Sequence, residues 1–514
     1  MASPAHWVPQ ADLARLRTMP TTSAPTAVRK IAPRSAVVLG TCCLSLFLTG
    51  LDNTAVNVGL PVIGAQLHAP VAGLQWVVAA YTVVLASLLM LAGALADRFG
   101  RKPVFQAGLC LFTLGAWLCS LAPGLAWLIA FRALQGAGAS MLNPAALGII
   151  TNTFTRPAER ARAIGVWDAV FGLSMALGPV AGGVLADVAG WRAIFWANIP
   201  VGLAAVCLTA VFVPDSRARK QRRTDPPGQV LVIVVLAALA LAIIDGPGLG
   251  WRSPFVIGAA VVAATALATL VTCELRRAEP LIDVRMFGDA RFATLSVTAV
   301  LVTALLAGWL FLSTLYLQDV RGESAVRAGL TILPMPVAMA ACAALAGRVL
   351  ARRGPRVPLA VAGCALAASC AALSRLSGDS GPAFLVFTYS LFGAGFGLAS
   401  ASVTNGIMSS VPKSRAGVAS GINSASRQLG MSLGVAVTGS VLSSSLRGSV
   451  HAGFLHAAPV SWLVLAGCGA AVLRLSLATA SAADVAASAR VGPAATIRAG
   501  SPSGRTAAAR GTPR

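Results

Sequence analysis

An all-α polytopic membrane protein is the fold class this sequence predicts, first from composition: of 514 residues 56% are hydrophobic and 11% charged, with a mean hydropathy of +0.77. Soluble domains carry about 25% charge, so a soluble globule is excluded. Apolar runs of about 20 residues, long enough to cross a bilayer core as helices, recur along the chain. They also fall into two related sets at a nearly constant offset, the mark of an internal repeat.

The elements follow in order. Residues 1–35, rich in Pro, Thr, Ala and Arg, lack the apolar pattern of a packed core and are predicted to be a disordered cytoplasmic tail, with Met19 as an alternative start. The first apolar run begins near residue 36, too late and too long for a cleavable signal peptide, and stays as span 1. Spans 2 and 3 run from Gln75 to Ala96 and from Val104 to Leu121, on either side of GALADRFGRK, Gly93 to Lys102. The mixed charges and two glycines of that stretch make it a cytoplasmic hinge. Spans 4, 5 and 6 begin near 125, 162 and 193 and complete an N-terminal six-helix bundle, 36–214. A basic linker from Asp215 to Asp225 places Arg217, Arg219, Lys220, Arg222 and Arg223 against anionic lipid. Spans 7 and 8 begin near 229 and 255 and carry no mid-membrane charge, because Asp245 falls at the outer loop and Glu274 at the inner end. With the linker they form an insert, 215–291, read as peripheral to any cavity. Spans 9 to 14, from near 292, 328, 357, 382, 414 and 459, form a C-terminal six-helix bundle over 292–479, and 480–514 is a second disordered basic tail.

The net charge of +23 would suggest nucleic acid in a soluble protein, but its location excludes that. With the N-terminus cytoplasmic, inner loops, inner helix ends and tails hold 32 of the 40 Lys and Arg, and outer loops hold six. Positive residues concentrate on the inner side of membrane proteins, so the sequence predicts both termini in the cytoplasm of a cell-membrane protein. Trp76, Trp127, Trp191, Trp251 and Trp462 near outer helix ends agree, since indoles favour the headgroup layer.

Catalytic and cofactor signals are weak. No lysine follows a glycine, so there is no phosphate-binding loop and no nucleotide is expected. The four histidines have no zinc spacing, and the ten cysteines lie in or beside apolar spans without a CxxC pair, so neither metal nor structural disulfide is predicted. GMSLG at Gly430 to Gly434 matches a nucleophile elbow, and GAGFG at Gly393 to Gly397 part of a dinucleotide fingerprint. Both lie inside helical runs, where small residues at this spacing allow close helix packing. The chain is not expected to be an enzyme or to hold a cofactor.

The repeat is read from three matches. GRVLARRGPR, Gly347 to Arg356, echoes the hinge at an offset of 254 residues; LQGAG at Leu134 recurs as LFGAG at Leu391; and GVWDAVFGLSMALG, Gly165 to Gly178, aligns with GINSASRQLGMSLG, Gly421 to Gly434. Two six-helix halves around a central cavity are how many secondary transporters alternate access.

Several motifs now resemble a known family. GALADRFGRK is similar to the cytoplasmic loop motif of the major facilitator superfamily, G-x-L-x-D-R-x-G-R-K/R. LDNTAVNVGLP, Leu51 to Pro61, resembles the first-helix motif of its fourteen-span drug:proton antiporter family, departing at Ala55 and Gly59. FRALQGAGAS from Phe131 resembles the fourth-helix motif with its membrane arginine, GLSMALGPVAGG (Gly172 to Gly183) the antiporter motif of helix five, and WRAIFWANIPVG the start of helix six. The resemblance covers residues 36 to 478. It implies the major facilitator fold with two inserted helices, a monomer, and proton-driven export of hydrophobic or amphipathic small molecules, with the proton gradient as energy source. In the family the helix-five glycines Gly172, Gly178, Gly182 and Gly183 with Pro179 are associated with antiport and outer sealing.

Residue physics gives candidate sites. Asp52 lies about 16 residues into span 1, roughly 24 Å from the cytosolic edge, and Arg132 about 7 residues into span 4, roughly 10 Å below the outer edge, depths that nearly coincide in a core of about 30 Å. As neighbours they would compensate each other's burial, as a proton-coupling pair or as a permanent structural one. Asp168, six residues into span 5, joins the proton-coupling candidates or is a helix-end residue facing water. Asn53, Asn57, Gln135, Asn423, Arg427 and Gln428 are candidates for a substrate cavity, Arg427 suiting an acidic or phenolic compound. In the gate loop (Gly93, Asp97, Arg98, Gly100, Arg101, Lys102) the acid has Ala351 as its counterpart, so Asp97 is expected to latch the cytoplasmic side to the second half near span 13. Two other functions remain open: a dedicated exporter of one self-made antibiotic or metabolite, and a non-transporting membrane sensor.

Overall fold

The computed structural model describes residues 33–217, 225–277, 284–353, 356–411, 416–446 and 450–491. Outside them lie most of the two predicted tails, the linker residues Arg219, Lys220, Arg222 and Arg223, Gly354, and residues 412–415 at the end of the loop before span 13; the side chain of Asp168 is outside them too. Among the described residues the regular elements are helices. The first half comprises α1 (Pro33–Leu67), α2 (Val71–Phe99), α3 (Arg101–Ser120), α4 (Leu125–Thr153), α5 (Pro157–Ala189) and α6, which runs Arg192–Trp196 and, after a turn at Ala197, Asn198–Phe212. The insert is α7 (Pro226–Leu249) and α8 (Pro254–Arg276). The second half comprises α9 (Ala290–Leu315, ending in a wider turn at Tyr316–Val320), α10 (Ala325–Ile332 continued as Pro334–Arg353), α11 (Arg356–Leu373), α12 (Pro382–Ser409), α13 (Ala416–Ser445) and α14 (Val450–Val491).

Helix ends carry expected signals. Proline occupies the first turn of α7, α8 and α12, where a missing N–H costs nothing. Asp225 and Asp289 accept backbone N–H bonds at the starts of α7 and α9. Past 479, where the bundle was expected to end, α14 continues to Val491, the last described residue, through an alanine-rich stretch that favours helix.

Thirteen of these helices are long and apolar enough to cross a membrane. The other is α13, whose 30 residues suffice in length but are rich in Ser and Gly. It packs along α9 and α2, so its polar residues are shielded by protein.

The repeat is visible in the packing. In the first half α2 packs on α4, α3 on α4 and α1 on α5; in the second, α10 packs on α12, α11 on α12 and α9 on α13. The glycines of the two echoing motifs do the same work in each. A Cβ on Gly136 would meet the backbone of Tyr81 on α2, and one on Gly393 that of Met335 on α10; one on Gly138 would meet the backbone of Phe112 on α3, and one on Gly395, less closely, Leu366 and the Ala362 carbonyl on α11. Gly430 and Gly434, the false nucleophile elbow, seat α13 on Val300, Thr303 and Ala304 of α9. The halves meet along two related seams, α2 with α13 and α5 with α10.

Two expectations change. The insert is not wholly peripheral: α7 covers the α2–α13 seam, with Gln229 Nε2 donating to the Ser87 carbonyl and Trp76 Nε1 donating to Asp245 Oδ1 at 3.2 Å. Asp245 therefore lies on α7 itself, satisfied by α2. Only α8 is peripheral, packing chiefly on α7. Trp127 and Trp251 are exposed as an interfacial belt requires, but Trp191 and Trp462 are fully buried, because close packing at these helix ends turns the indoles into the bundle.

Candidate functional site

At the middle of α1 Asp52 is 0% exposed, and Arg132 on α4 is 1% exposed. Arg132 Nη1 donates to Asp52 Oδ2 at 2.7 Å. Burying either ion alone costs several kcal/mol, and removing one partner of such a pair costs about 3–5 kcal/mol, so each depends on the other. The pair has further support. Asp52 Oδ1 accepts from Gln135 Nε2 at 3.0 Å and from Asn198 Nδ2 at 3.1 Å. Arg132 donates through Nη1 to Gln135 Oε1 at 2.7 Å and through Nε to the Val77 carbonyl at 3.2 Å, with its guanidinium over the Tyr81 ring at 4.3 Å. Cys119 Sγ on α3 lies 3.9 Å from Gln135 Oε1.

The site thus draws on α1, α2, α3, α4 and α6. Gln135, expected on a cavity wall, is 0% exposed and bridges the two charges. One turn of α4 separates it from Arg132, so both reach the same carboxylate from one helix face. Asn198 was missed. Its sequence signals are a polar residue three positions past Phe195 and its place inside the WRAIFWANIPVG motif, neither of which reveals that α6 packs on α1 at this depth.

The α5 motif connects this site to the other half. A Cβ on Gly178 would strike Thr54, and one on Gly182 would lie 2.7 Å from Ala55 Cα; both abut α1 just beyond Asp52. Gly183 faces the Ala325 carbonyl on α10, and Gly329 of α10 faces the Pro179 carbonyl. Proline 179 has no N–H of its own to give, and its small neighbours let the helices touch. Gly172 is different: a Cβ there would meet nothing within 4 Å among the described residues, so it has no part in this close packing. Ala55 and Gly59, the departures from the first-helix motif, find a reason here, since Gly182 rests on Ala55 and a Cβ on Gly59 would lie 2.5 Å from Ile194 Cδ1.

At this end of the bundle, opposite the Gly93–Lys102 loop, the halves are also joined by hydrogen bonds. Asp187 on the last turn of α5 accepts from Ala325 N through Oδ1 and from Val326 N through Oδ2, each at 2.9 Å. Ser324 Oγ takes Arg327 N at 3.3 Å, so the first N–H groups of α10 are satisfied, two of them from the other half. Gln318 Nε2 donates to the Val58 carbonyl at 2.7 Å, and Gln75 Nε2 to the carbonyls of Val435 and Ala436 at 3.1 and 2.8 Å.

At the loop end, Gly100 has φ +111°, a conformation that disfavours any side chain. Arg101 Nη1 donates to the Gly148 carbonyl of α4 at 2.6 Å, and Lys102 Nζ to the Ala210 carbonyl in the last turn of α6 at 2.8 Å. Gly93 is in ordinary contact with Pro144, and Arg98 lies 5.4 Å from the Phe99 ring. The basic residues thus tie helices of their own half. Among the described residues no hydrogen bond or ion pair engages Asp97; its partner is expected near span 13, and residues 412–415, which lead into that span, lie outside the described residues.

The remaining cavity candidates are dispersed. Asn57 Nδ2 donates to the Asn53 carbonyl at 2.6 Å, and Arg427 Nη1 donates to Ser400 Oγ of α12 at 3.1 Å. Asn423 is buried and Gln428 half-buried on the same helix as Arg427.

Comparison with known proteins agrees with this architecture. The family model described as Major Facilitator Superfamily matches residues 42–234 and 228–435. The chain is 38% identical over 416 residues to the multidrug resistance protein Stp of Mycobacterium tuberculosis, covering 81% of this chain and 77% of that one. It is 36% identical over 402 residues to the tetracenomycin C resistance and export protein of Streptomyces glaucescens, covering 78% and 74%. A bacterial homologue of the human lysosomal transporter Spinster, solved in an inward-facing, unoccupied conformation, shares the fold with a TM-score of 0.63 at 18% identity, over 87% of this chain and 98% of that one. Two related six-helix halves joined at paired seams, a buried Asp–Arg pair and these matches together place the chain in the major facilitator superfamily, as a multi-pass membrane transporter and not an enzyme.

Proposed function

We propose that the protein exports hydrophobic or amphipathic compounds in exchange for protons by alternating access, with Asp52 binding the proton. The observation that carries this reading is the environment of Asp52, an acid shut off from solvent yet offered charge compensation by Arg132. Proton binding there neutralises the carboxylate and so weakens the attraction between α1 and α4, while Arg132 keeps acceptors in Gln135 Oε1 and the Val77 carbonyl. Since Gly178 and Gly182 press α5 against α1, and Pro179 and Gly183 press it against α10, a shift of α1 reaches the other half directly. The basic end faces the cytoplasm on this reading, with both termini inside. Asp168 joins the proton path and Arg427 the substrate path. Each charge moved inward supplies about 2.3 kcal/mol per 100 mV, enough to drive export.

The test is a drug and dye susceptibility panel in an efflux-deficient host, with ΔpH-driven ethidium uptake into inverted vesicles. Wild type confers resistance and drives uptake; Asp52→Asn, present at equal level in the membrane, does neither. Full retention by that variant would refute coupling at Asp52. The similarity to a protein named for resistance to and export of one antibiotic favours a second reading, a dedicated exporter of a single compound. Protection against one compound across the panel selects it.

A further inference from the structure

Asp52 must be satisfied in two states if it carries a proton, and its three side-chain partners differ in their capacity to follow the change. Arg132 can only donate. Gln135 is committed at both ends, since Nε2 donates to Asp52 Oδ1 while Oε1 accepts from Arg132 Nη1. Turning its amide over would present nitrogen to a guanidinium. Asn198 alone is free to reverse. Its Nδ2 donates to Asp52 Oδ1 at 3.1 Å and to the Ile194 carbonyl at 3.4 Å, both acceptors, which assigns the amide orientation. Its Oδ1 is buried and accepts no hydrogen bond from any described residue. An idle acceptor in a buried amide, one bond away from the acid, is costly unless another state uses it.

We propose that Asn198 is a positioning residue for proton coupling, an amide that donates to Asp52 as carboxylate and turns over to accept from Asp52 as carboxylic acid. The inference rests on the reading of Asp52 as the proton-binding group. The proton adds to Oδ1, where Gln135 and Asn198 meet, and Oδ2 remains the acceptor of Arg132. The new O–H then donates to Asn198 Oδ1, which has rotated about its Cβ–Cγ bond, giving up both bonds of Nδ2, to Asp52 Oδ1 and to the Ile194 carbonyl. The bonds that Arg132 and Gln135 make to Asp52 are kept. The charged and titratable groups facing Asp52 are Arg132 on α4, Tyr81 on α2 and Cys119 on α3; α5 presents Gly178 to this part of α1, and α6 presents Asn198. Because Asn198 stands in the second segment of α6, directly after the turn at Ala197, its reversal also senses the position of α6 against α1.

Infrared difference spectroscopy of the full chain in liposomes, between high and low pH, tests this without any transported compound. Wild type is expected to show a protonated-carboxyl stretching band, lost in Asp52→Asn, at the frequency of an acid whose O–H donates a hydrogen bond. A side-chain amide carbonyl change accompanies it. In Asn198→Leu the carboxyl band shifts toward the free-acid frequency and the amide change disappears. If that variant gives the wild-type band and the same amide change, the amide switch is overturned while coupling at Asp52 stands. If no band depends on Asp52 at any pH, coupling itself fails and the switch with it. Should Asn198→Leu not fold, wild type alone decides, since a band at the free-acid frequency leaves Asn198 Oδ1 without the proposed donor.

Discussion

Removing the Asp187 carboxylate should loosen the end of the bundle opposite the Gly93–Lys102 loop, by an amount the geometry sets. In Asp187→Ala the N–H groups of Ala325 and Val326 lose both 2.9 Å acceptors, leaving Ser324 as the remaining side-chain cap of α10. An aspartate at a helix N-terminus is worth about 0.5–2 kcal/mol through its hydrogen bonds, and about 0.3–1 kcal/mol through the helix dipole when exposed. Asp187 is exposed, so water replaces part of this, and a net loss of about 1–2 kcal/mol follows. That corresponds to a shift of about 5- to 30-fold toward states in which α5 and α10 part. Spin labels at Val188 and Leu330, both exposed, would report the separation by pulsed electron resonance in nanodiscs. Asp187→Ala should raise the long-distance population by that factor, and Asp187→Asn, which keeps one neutral acceptor, by less. Superimposable distance distributions for wild type and Asp187→Ala would refute the reasoning, because the cap would then contribute nothing to closure.

Other outcomes follow from close packing. Gly182→Leu should abolish transport and lower the thermal midpoint in detergent, since overpacking of about 1–3 kcal/mol meets Ala55 backbone with no room to yield, whereas Gly172→Ala should behave as wild type. Gly100→Val should destabilise by about 1–3 kcal/mol, read by the same melting assay, because valine at φ +111° is strained. Gln135→Leu should cost more transport activity than Gln428→Leu, measured as initial ethidium efflux, since Gln135 holds both members of the ion pair. Trp76→Phe, which leaves Asp245 without its indole donor, should raise protease cleavage in the turn between α7 and α8, a few residues past Asp245, at unchanged transport rate.

Much of this architecture was legible because a bilayer enforces long apolar helices and paired repeats leave matching glycines. The pairing of Asp52 with Arg132 could be argued from depth alone, since each ion needs compensation at its own level. The rest was hidden for identifiable reasons. Gln135 looked like a cavity residue because sequence does not tell which face of α4 turns inward. Trp191 and Trp462 sit at helix ends in sequence, yet neighbouring helices cover them. The lack of mid-span charge in α7 suggested a bystander, but lipid exposure and burial in a seam demand the same apolar surface.

The sequence by itself determined the membrane class, the two related halves, the inserted pair and the acid and base of the central site, because hydropathy, repeat spacing and charge are properties of the chain read along its length. Only the tertiary structure decided that Asn198 and Gln135 complete that site, that the two faces of α5 join it to α10, and that Asp187 caps a helix of the opposite half. Those facts depend on helix rotation and on contacts between residues more than a hundred positions apart in several cases, which close packing selects and local sequence does not encode.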